Sequence, residues 1–384
     1  MLDFSFTPEQ LELARTLRAF AGRALAPRSG QWDRSGEFPR DAWRQMGELG
    51  LLGLRAPAEL GGAEADLVTT GIAVEEIARG DFCATYGIQL AAFAGEIVGR
   101  NGSAEVRERW IPPTARGETV IALALTEPGV GSDAAHLACR AEREGGDYVL
   151  TGEKSGISLG MAAQAAIVFA RTGGGAGARG ISAFLVPLDL PGVARSALRD
   201  LGSHAIVRAV LSFDHVRLAG SLRLGAEGTG FRQVMGSFDS NRVLIGLACL
   251  GAAQVSLEET MAYVKERQAF GRALARFEGV SFPIAEAATQ LEAARWLCYR
   301  ALWLADRGAP FTKESAMVKA WVPRLAVDTI HQCLLLHGHY GYTSELPFEQ
   351  RLRDVMGLEI GDGAAAIMKI VVARELMGRE SLPY

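Results

Sequence analysis

The sequence predicts an α+β protein, mainly helical, in three consecutive units: an N-terminal helical domain over 1–119, a β-sandwich or small barrel over 120–222, and a C-terminal four-helix bundle over 223–384. Three observations predict it. Apolar residues recur at helical spacing through the first unit. Short runs rich in β-branched and aromatic residues, punctuated by Gly, Pro and Asp, fill the second. The helical period then returns and holds to the end of the chain.

Each element has a local reason. Thr7, Pro8 and Gln10 make a capping-box start with Pro at the first helical position, and Leu11, Leu13, Ala14, Leu17 and Phe20 follow. Trp43, Met46, Leu49 and Leu51 continue the pattern. "VTTGIAVEEIARG" and "YGIQLAAFAGEIVGRNG" read as two more helices, each closed by glycine. "TVIALALTEPGVGSD", "DYVLTGEK", "QAAIVFART", "GISAFLVPL" and "RAVLSFDHVRL" read as strands, with a flexible glycine-rich turn at 172–180. Leu244, Leu247, Leu250, Leu257, Met261 and Val264 mark one long helix. Three further apolar-striped helices follow, one with Pro323 inside it, and together the four argue for a bundle.

Composition narrows the function. The chain has 384 residues, 49% of them hydrophobic and 22% charged, which suits two or three globular domains. A net charge of −4 without a Lys/Arg cluster argues against a nucleic-acid partner. Cys83, Cys139, Cys249, Cys298 and Cys333 have neither metal-ligand nor redox spacing and read as buried free thiols. His337 and His339, two apart, suit no chelate, and no metal is expected. The start "MLDFSFTPEQLELARTL" lacks the marks of a signal peptide, and no segment reads as a membrane span. The expectation is a cytoplasmic enzyme with no membrane partner.

Several motifs are missing. No GxGxxG opens a helix after a strand, no P-loop is present, and no GxSxG elbow occurs. Two stretches remain. "LTEPGVGSD", Leu125 to Asp133, is a tight turn with two hydroxyls, able to aim backbone N–H groups at a planar polar ligand or simply to link two strands. "GLEIGDGAAAIM" sets Asp362 between Gly361 and Gly363 at the entrance to a helix. Asp362 is either an N-cap or a catalytic base on a special backbone.

These stretches, with "DYVLTGEK" followed by "ISLG", "RQAFG", "HGHYGY" and "RLRD", occur in an order that resembles the acyl-CoA dehydrogenase family almost end to end. The resemblance implies FAD, an acyl-CoA thioester substrate, a homotetramer arranged as a dimer of dimers, and an electron-transfer flavoprotein as acceptor. It assigns flavin contacts to Leu123, Leu125, Thr126, Gly131, Ser132, Ile157 and Ser158. It assigns cross-subunit FAD contacts to Arg267 and Phe270, and further cofactor contacts to Leu274, Phe277, Leu335, His339 and Ala364. Substrate contacts fall on Tyr86, Gln89, Ser132, Met235, Phe238, Asp239, Arg242, Gly361 and Gly363. Asp362 takes the position of the family's α-proton base, with the β-hydrogen leaving as hydride to flavin N5.

Four departures from the family pattern stand out. The base is Asp rather than Glu, about 1.5 Å shorter. Gly156 replaces a Trp over the flavin. Leu335 and His339 replace a Gln and a Gly. Ala364 replaces a Thr. The Asp base within "RDVMGLEIGDG" is similar to the branch acting on alicyclic thioesters such as cyclohexanecarboxyl-CoA. The alternatives are a nitroalkane-oxidase-like flavin oxidase, a dehydrogenase of acyl-carrier-protein thioesters, and a non-catalytic member of the family.

Overall fold

The first helix starts where its capping box predicts. Gln10 N–H donates to Thr7 Oγ1 at 3.2 Å and Thr7 N–H donates to Gln10 Oε1 at 3.1 Å. The structure, a computed structural model, describes residues 5–173 and 177–381. Residues 174–176, the middle of the glycine-rich turn, lie outside those described.

The N-terminal region contains α1 (Pro8–Phe20), α2 (Ala26–Ser35), α3 (Arg40–Glu48), α4 (Leu67–Ala78), α5 (Thr85–Phe93), α6 (Gly99–Asn101) and α7 (Ala104–Ala115). α4 is buried on almost every face. Its N-terminus is capped twice. Asp66 accepts from Thr69 N–H at 2.7 Å, and Asp306, far along the chain, accepts from Leu67 and Val68 N–H at 2.7 and 3.0 Å. Near its C-terminal end Glu75 accepts from Arg295 at 2.6 Å and Tyr299 at 2.5 Å. Both ends of this helix are therefore fixed by the C-terminal bundle.

The strands are β1 (Ile121–Ala124), β2 (Arg140–Glu144), β3 (Asp147–Ile157), β4 (Ala165–Arg171), β5 (Ile181–Pro187), β6 (Val193–Ala197), β7 (Ala209–Leu218) and β8 (Arg223–Leu224). They form one sheet in the order β6-β7-β3-β2-β4-β5-β8, with β1 parallel to β4. The two halves join through a single parallel pair, Arg140 with Arg171. β4 and β5 are almost wholly apolar, with Ser182 and the terminal Arg171 as the polar exceptions, because both their faces are covered. β3 loses register against β7 between Lys154 and Ile157, and Gly156 there has φ 71°. Such an irregularity bends a strand locally.

The bundle consists of α8 (Gly230–Glu266), α9 (Glu278–Asp306), α10 (Thr312–Leu336) and α12 (Ala365–Met377), with the short α11 (Phe348–Met356) before the last. A small hairpin, β9 (Gln268–Ala269) with β10 (Arg272–Ala273), follows α8 directly. α10 continues through Pro323. The expectation that no segment is long and apolar enough to span a membrane is corrected by α8, which meets both criteria. Of its most apolar window 78% is buried inside the protein, among α4, α9 and α10. All five cysteines are free and buried. Among the described residues no His/Cys/Asp/Glu group could hold a metal.

Candidate active site

Five segments from three parts of the chain converge on one cavity that opens to solvent, with about 530 Å³ of empty space counting its open mouth. α5 supplies Tyr86, Gln89, Leu90 and Phe93. β1 and the turn after it supply Leu123, Leu125 and Thr126. The end of β3 supplies Gly156, Ile157 and Ser158. α8 supplies Phe238 and Asn241, and the turn before α12 supplies Asp362.

The "LTEPGVGSD" turn is fixed from beneath. Lys154, fully buried, donates from Nζ to Leu125 O at 2.9 Å and to Glu127 Oε1 at 2.8 Å. Glu127 also accepts from Ala138 and Cys139 N–H at 2.6 and 2.9 Å. Its carboxyl lies below the usual range, because these hydrogen bonds and the Lys154 charge outweigh the cost of burial. The hydroxyls of Thr126, Ser132 and Ser158 make no hydrogen bond within the described protein.

Asp362 does not cap its helix. Ala364 is the N-cap of α12, and no side chain caps there. Asp362 instead has φ 53°, a left-handed conformation that Asp tolerates better than most residues. Gly363 has φ 114°, a backbone conformation that residues with a Cβ rarely adopt, which is the reason for glycine there. Gly361 is different: a Cβ there would make ordinary contacts. The Asp362 carboxylate accepts from Asn241 Nδ2 at 2.9 Å, and its carbonyl accepts from Arg242 Nε at 3.1 Å. Its backbone N–H has no partner among the described residues.

Lys319 on α10 holds the same turn from the opposite side. It is fully buried and donates to Leu358 O at 2.6 Å and Gly363 O at 2.9 Å. Burial pushes its ammonium down to about 8, against the pull of Asp362. Burial likewise pushes the Asp362 carboxyl up, opposed by Lys319, Arg242, Arg208 and the Asn241 hydrogen bond. A carboxylate raised toward neutrality is a better base. Asn241→Leu removes one of the contacts that favour the ionised form, so the acid limb of any reaction needing ionised Asp362 is expected to move to higher pH. A pH–rate profile that coincides with that of the unmodified protein would contradict this.

Of the residues assigned from the sequence, the cavity gathers Tyr86, Gln89, Leu123, Leu125, Thr126, Ile157, Ser158, Phe238 and Asp362. Gly361, Gly363 and Ala364 belong to the turn around Asp362. Asp239 and Arg242 pair at 2.9 Å, and Thr312 and Ser315 hold Asp239 at 2.6 and 2.7 Å. Met235 is half-buried on the first turns of α8, and Gly131 and Ser132 are exposed. Arg267, Phe270, Leu274, Phe277, Leu335 and His339 do not line this cavity. Phe270 is 95% exposed at the tip of the hairpin, its ring 6.1 Å from that of Phe277. Asn241, Lys319 and Lys154 were missed as site residues. Asn241 adjoins the quoted Arg242, and each lysine interrupts a patterned stretch, "AMVKAWV" and "TGEKSG", which is the signal available for them.

The open hydroxyls on the pinned turn and on the end of β3 suit hydrogen bonding to a flat polar ring such as isoalloxazine. The exposed Arg267 suits a pyrophosphate.

Comparison with known proteins gives the family. Models of the N-terminal, middle and C-terminal domains of acyl-CoA dehydrogenase match residues 7–118, 122–216 and 228–377. The mitochondrial short-chain specific acyl-CoA dehydrogenase of Rattus norvegicus is 39% identical over 376 residues, covering 96% of this chain and 90% of the relative. The solved butyryl-CoA dehydrogenase of Megasphaera elsdenii superposes with a TM-score of 0.93 at 29% identity, covering 98% of this chain and 100% of that one. A chain solved in work on the electron transferring flavoprotein of Acidaminococcus fermentans does so with a TM-score of 0.93 at 31% identity, over 98% and 100%. The chain belongs to the acyl-CoA dehydrogenase family and is an FAD-dependent oxidoreductase of that family.

Proposed function

We propose that this protein introduces a double bond between the α and β carbons of an acyl-CoA thioester, with Asp362 as the base that removes the α-proton. The observation that carries the reading is Asp362 itself: a left-handed, cavity-facing carboxylate held by Asn241 and raised in pKa by burial. Its free backbone N–H can donate to the thioester carbonyl oxygen, which favours the enolate that develops as the proton leaves. FAD, when bound, supplies the acceptor for the β-hydride. Thr126 and Ser158 would orient its ring from the pinned turn and from the end of β3.

The acyl group we propose is wide, an alicyclic one such as cyclohexanecarboxyl. Gly156 lines the cavity, and a Cβ built there meets nothing within 4 Å. The base is also one methylene shorter than glutamate, leaving room for a tertiary α-carbon. Electrons would pass to an electron-transfer flavoprotein, and the enzyme would work in the cytoplasm.

The assembly would be a homotetramer. Asn241 lies on the uninterrupted helix α8 and Arg267 is the C-cap residue at its end, about 39 Å away at about 1.5 Å per residue. The exposed hairpin beyond Arg267 is therefore too distant to grip the cofactor serving its own cavity, and it suits the cavity of another copy. Anaerobic flavin reduction by butyryl-CoA, a branched acyl-CoA and cyclohexanecarboxyl-CoA tests the proposal. The cyclic thioester is expected to react fastest. No reduction by any thioester would refute the function, and rapid H2O2 formation in air would replace the dehydrogenase with an oxidase.

A further inference from the structure

Tyr86 is buried at the cavity wall, and its hydroxyl is only half used. Arg208 Nη2 donates to Tyr86 Oη at 3.3 Å, while Arg208 Nη1 donates to Asp200 Oδ2 at 2.7 Å. The guanidinium side chain is 19% exposed, and the ion pair fixes it. A phenol that accepts from Arg still carries its own proton. No acceptor for that proton stands among the described residues. Burial pushes the phenol well up, so it remains a donor at any physiological pH. One turn along α5, Gln89 is 4% exposed and donates Nε2 to Thr85 Oγ1 at 3.1 Å, which leaves its amide oxygen available to the same cavity.

A pocket built for hydrocarbon alone has no use for such a pair, because an unmatched buried hydroxyl weakens binding of an apolar group. We propose that Tyr86, held by the Arg208–Asp200 pair, recognises a neutral oxygen substituent, a hydroxyl or carbonyl, on the acyl portion of the substrate. The inference rests on the reading of Asp362 as base and narrows its substrate. A neutral oxygen fits better than a carboxylate. Arg208 is already compensated by Asp200, and Asp362 faces the same space, so an anionic acyl end would be a third negative charge around one guanidinium. A hydroxyl could accept from Tyr86 and donate to Gln89, which a carboxylate could not.

The test uses the FAD-loaded full-length protein and its Tyr86→Phe variant, with anaerobic flavin reduction as readout. The probes are butyryl-CoA against 4-hydroxybutyryl-CoA, cyclohexanecarboxyl-CoA against its 4-hydroxy and 4-oxo forms, and glutaryl-CoA as the anionic arm. The oxygen-bearing neutral thioesters are expected to exceed their plain counterparts by roughly 10- to 100-fold in kcat/KM. In Tyr86→Phe that ratio should fall to about threefold or less, with flavin absorbance and melting temperature showing an intact holoenzyme. Equal rates for plain and oxygenated thioesters, a ratio that survives Tyr86→Phe, or preference for glutaryl-CoA would overturn the inference alone. Failure of every thioester to reduce the flavin would overturn the dehydrogenase reading and this inference with it.

Discussion

Asp362→Asn is expected to slow flavin reduction by an acyl-CoA thioester by at least about 10³-fold while FAD stays bound. The amide oxygen can still accept from Asn241 Nδ2, so the turn keeps its contact, but no group remains to take the α-proton. Stability should hold or rise, because burial disfavours the charged form of the native carboxyl. Single-turnover absorbance at the flavin band, read beside a thermal melt, separates the two effects. A rate within tenfold of the unmodified enzyme would remove Asp362 from the chemistry. Asp362→Glu probes the space around the substrate: a ring thioester should react more slowly, and an equal rate would argue against the wide pocket.

The second large effect is expected at Lys319. Lys319→Met keeps the length of the side chain and removes the ammonium, so Leu358 O and Gly363 O lose their donor. An unsatisfied buried carbonyl costs about 1–3 kcal/mol, partly offset because a buried cation no longer has to be desolvated. We expect a net loss of roughly 2 kcal/mol, seen as a lower Tm. The kinetic loss should be the larger one. The two carbonyls bracket the turn that carries Asp362, and misplacing a reacting group by about 1 Å can cost ~100-fold. A variant with lower Tm but undiminished kcat would show that the lysine supports the fold and not the placement of the base.

Neither Lys319 nor Asn241 was legible as a site residue, for the same physical reason. Each acts through a contact between residues far apart in the chain, 44 positions from Lys319 to Gly363 and 121 from Asn241 to Asp362. Local patterns carry information over about one or two helical turns, and so they showed the capping box at Thr7, the strand texture after residue 120 and the glycines around Asp362. The apolar marks of this long helix begin at Leu244 in the sequence, whereas α8 begins at Gly230. The helix is buried on several faces, so the contrast between polar and apolar sides that marks a surface helix is weak there. The same burial explains how a helix apolar enough for a bilayer sits in a protein core. Whether Asp362 capped its helix or faced a cavity could not be decided from spacing, because both roles favour a short acid beside glycines. The backbone angle decided it, in a turn whose carbonyls are held by Arg242 at Asp362 and by Lys319 at Gly363.

The unbroken helix from Asn241 to Glu266, directly before Arg267, also restricts how the gene can drift. At 3.6 residues per turn, removing one codon from that run would swing the hairpin about 100° around the axis relative to the cavity. Insertions and deletions in related sequences should therefore fall in the connections between elements and avoid this interval.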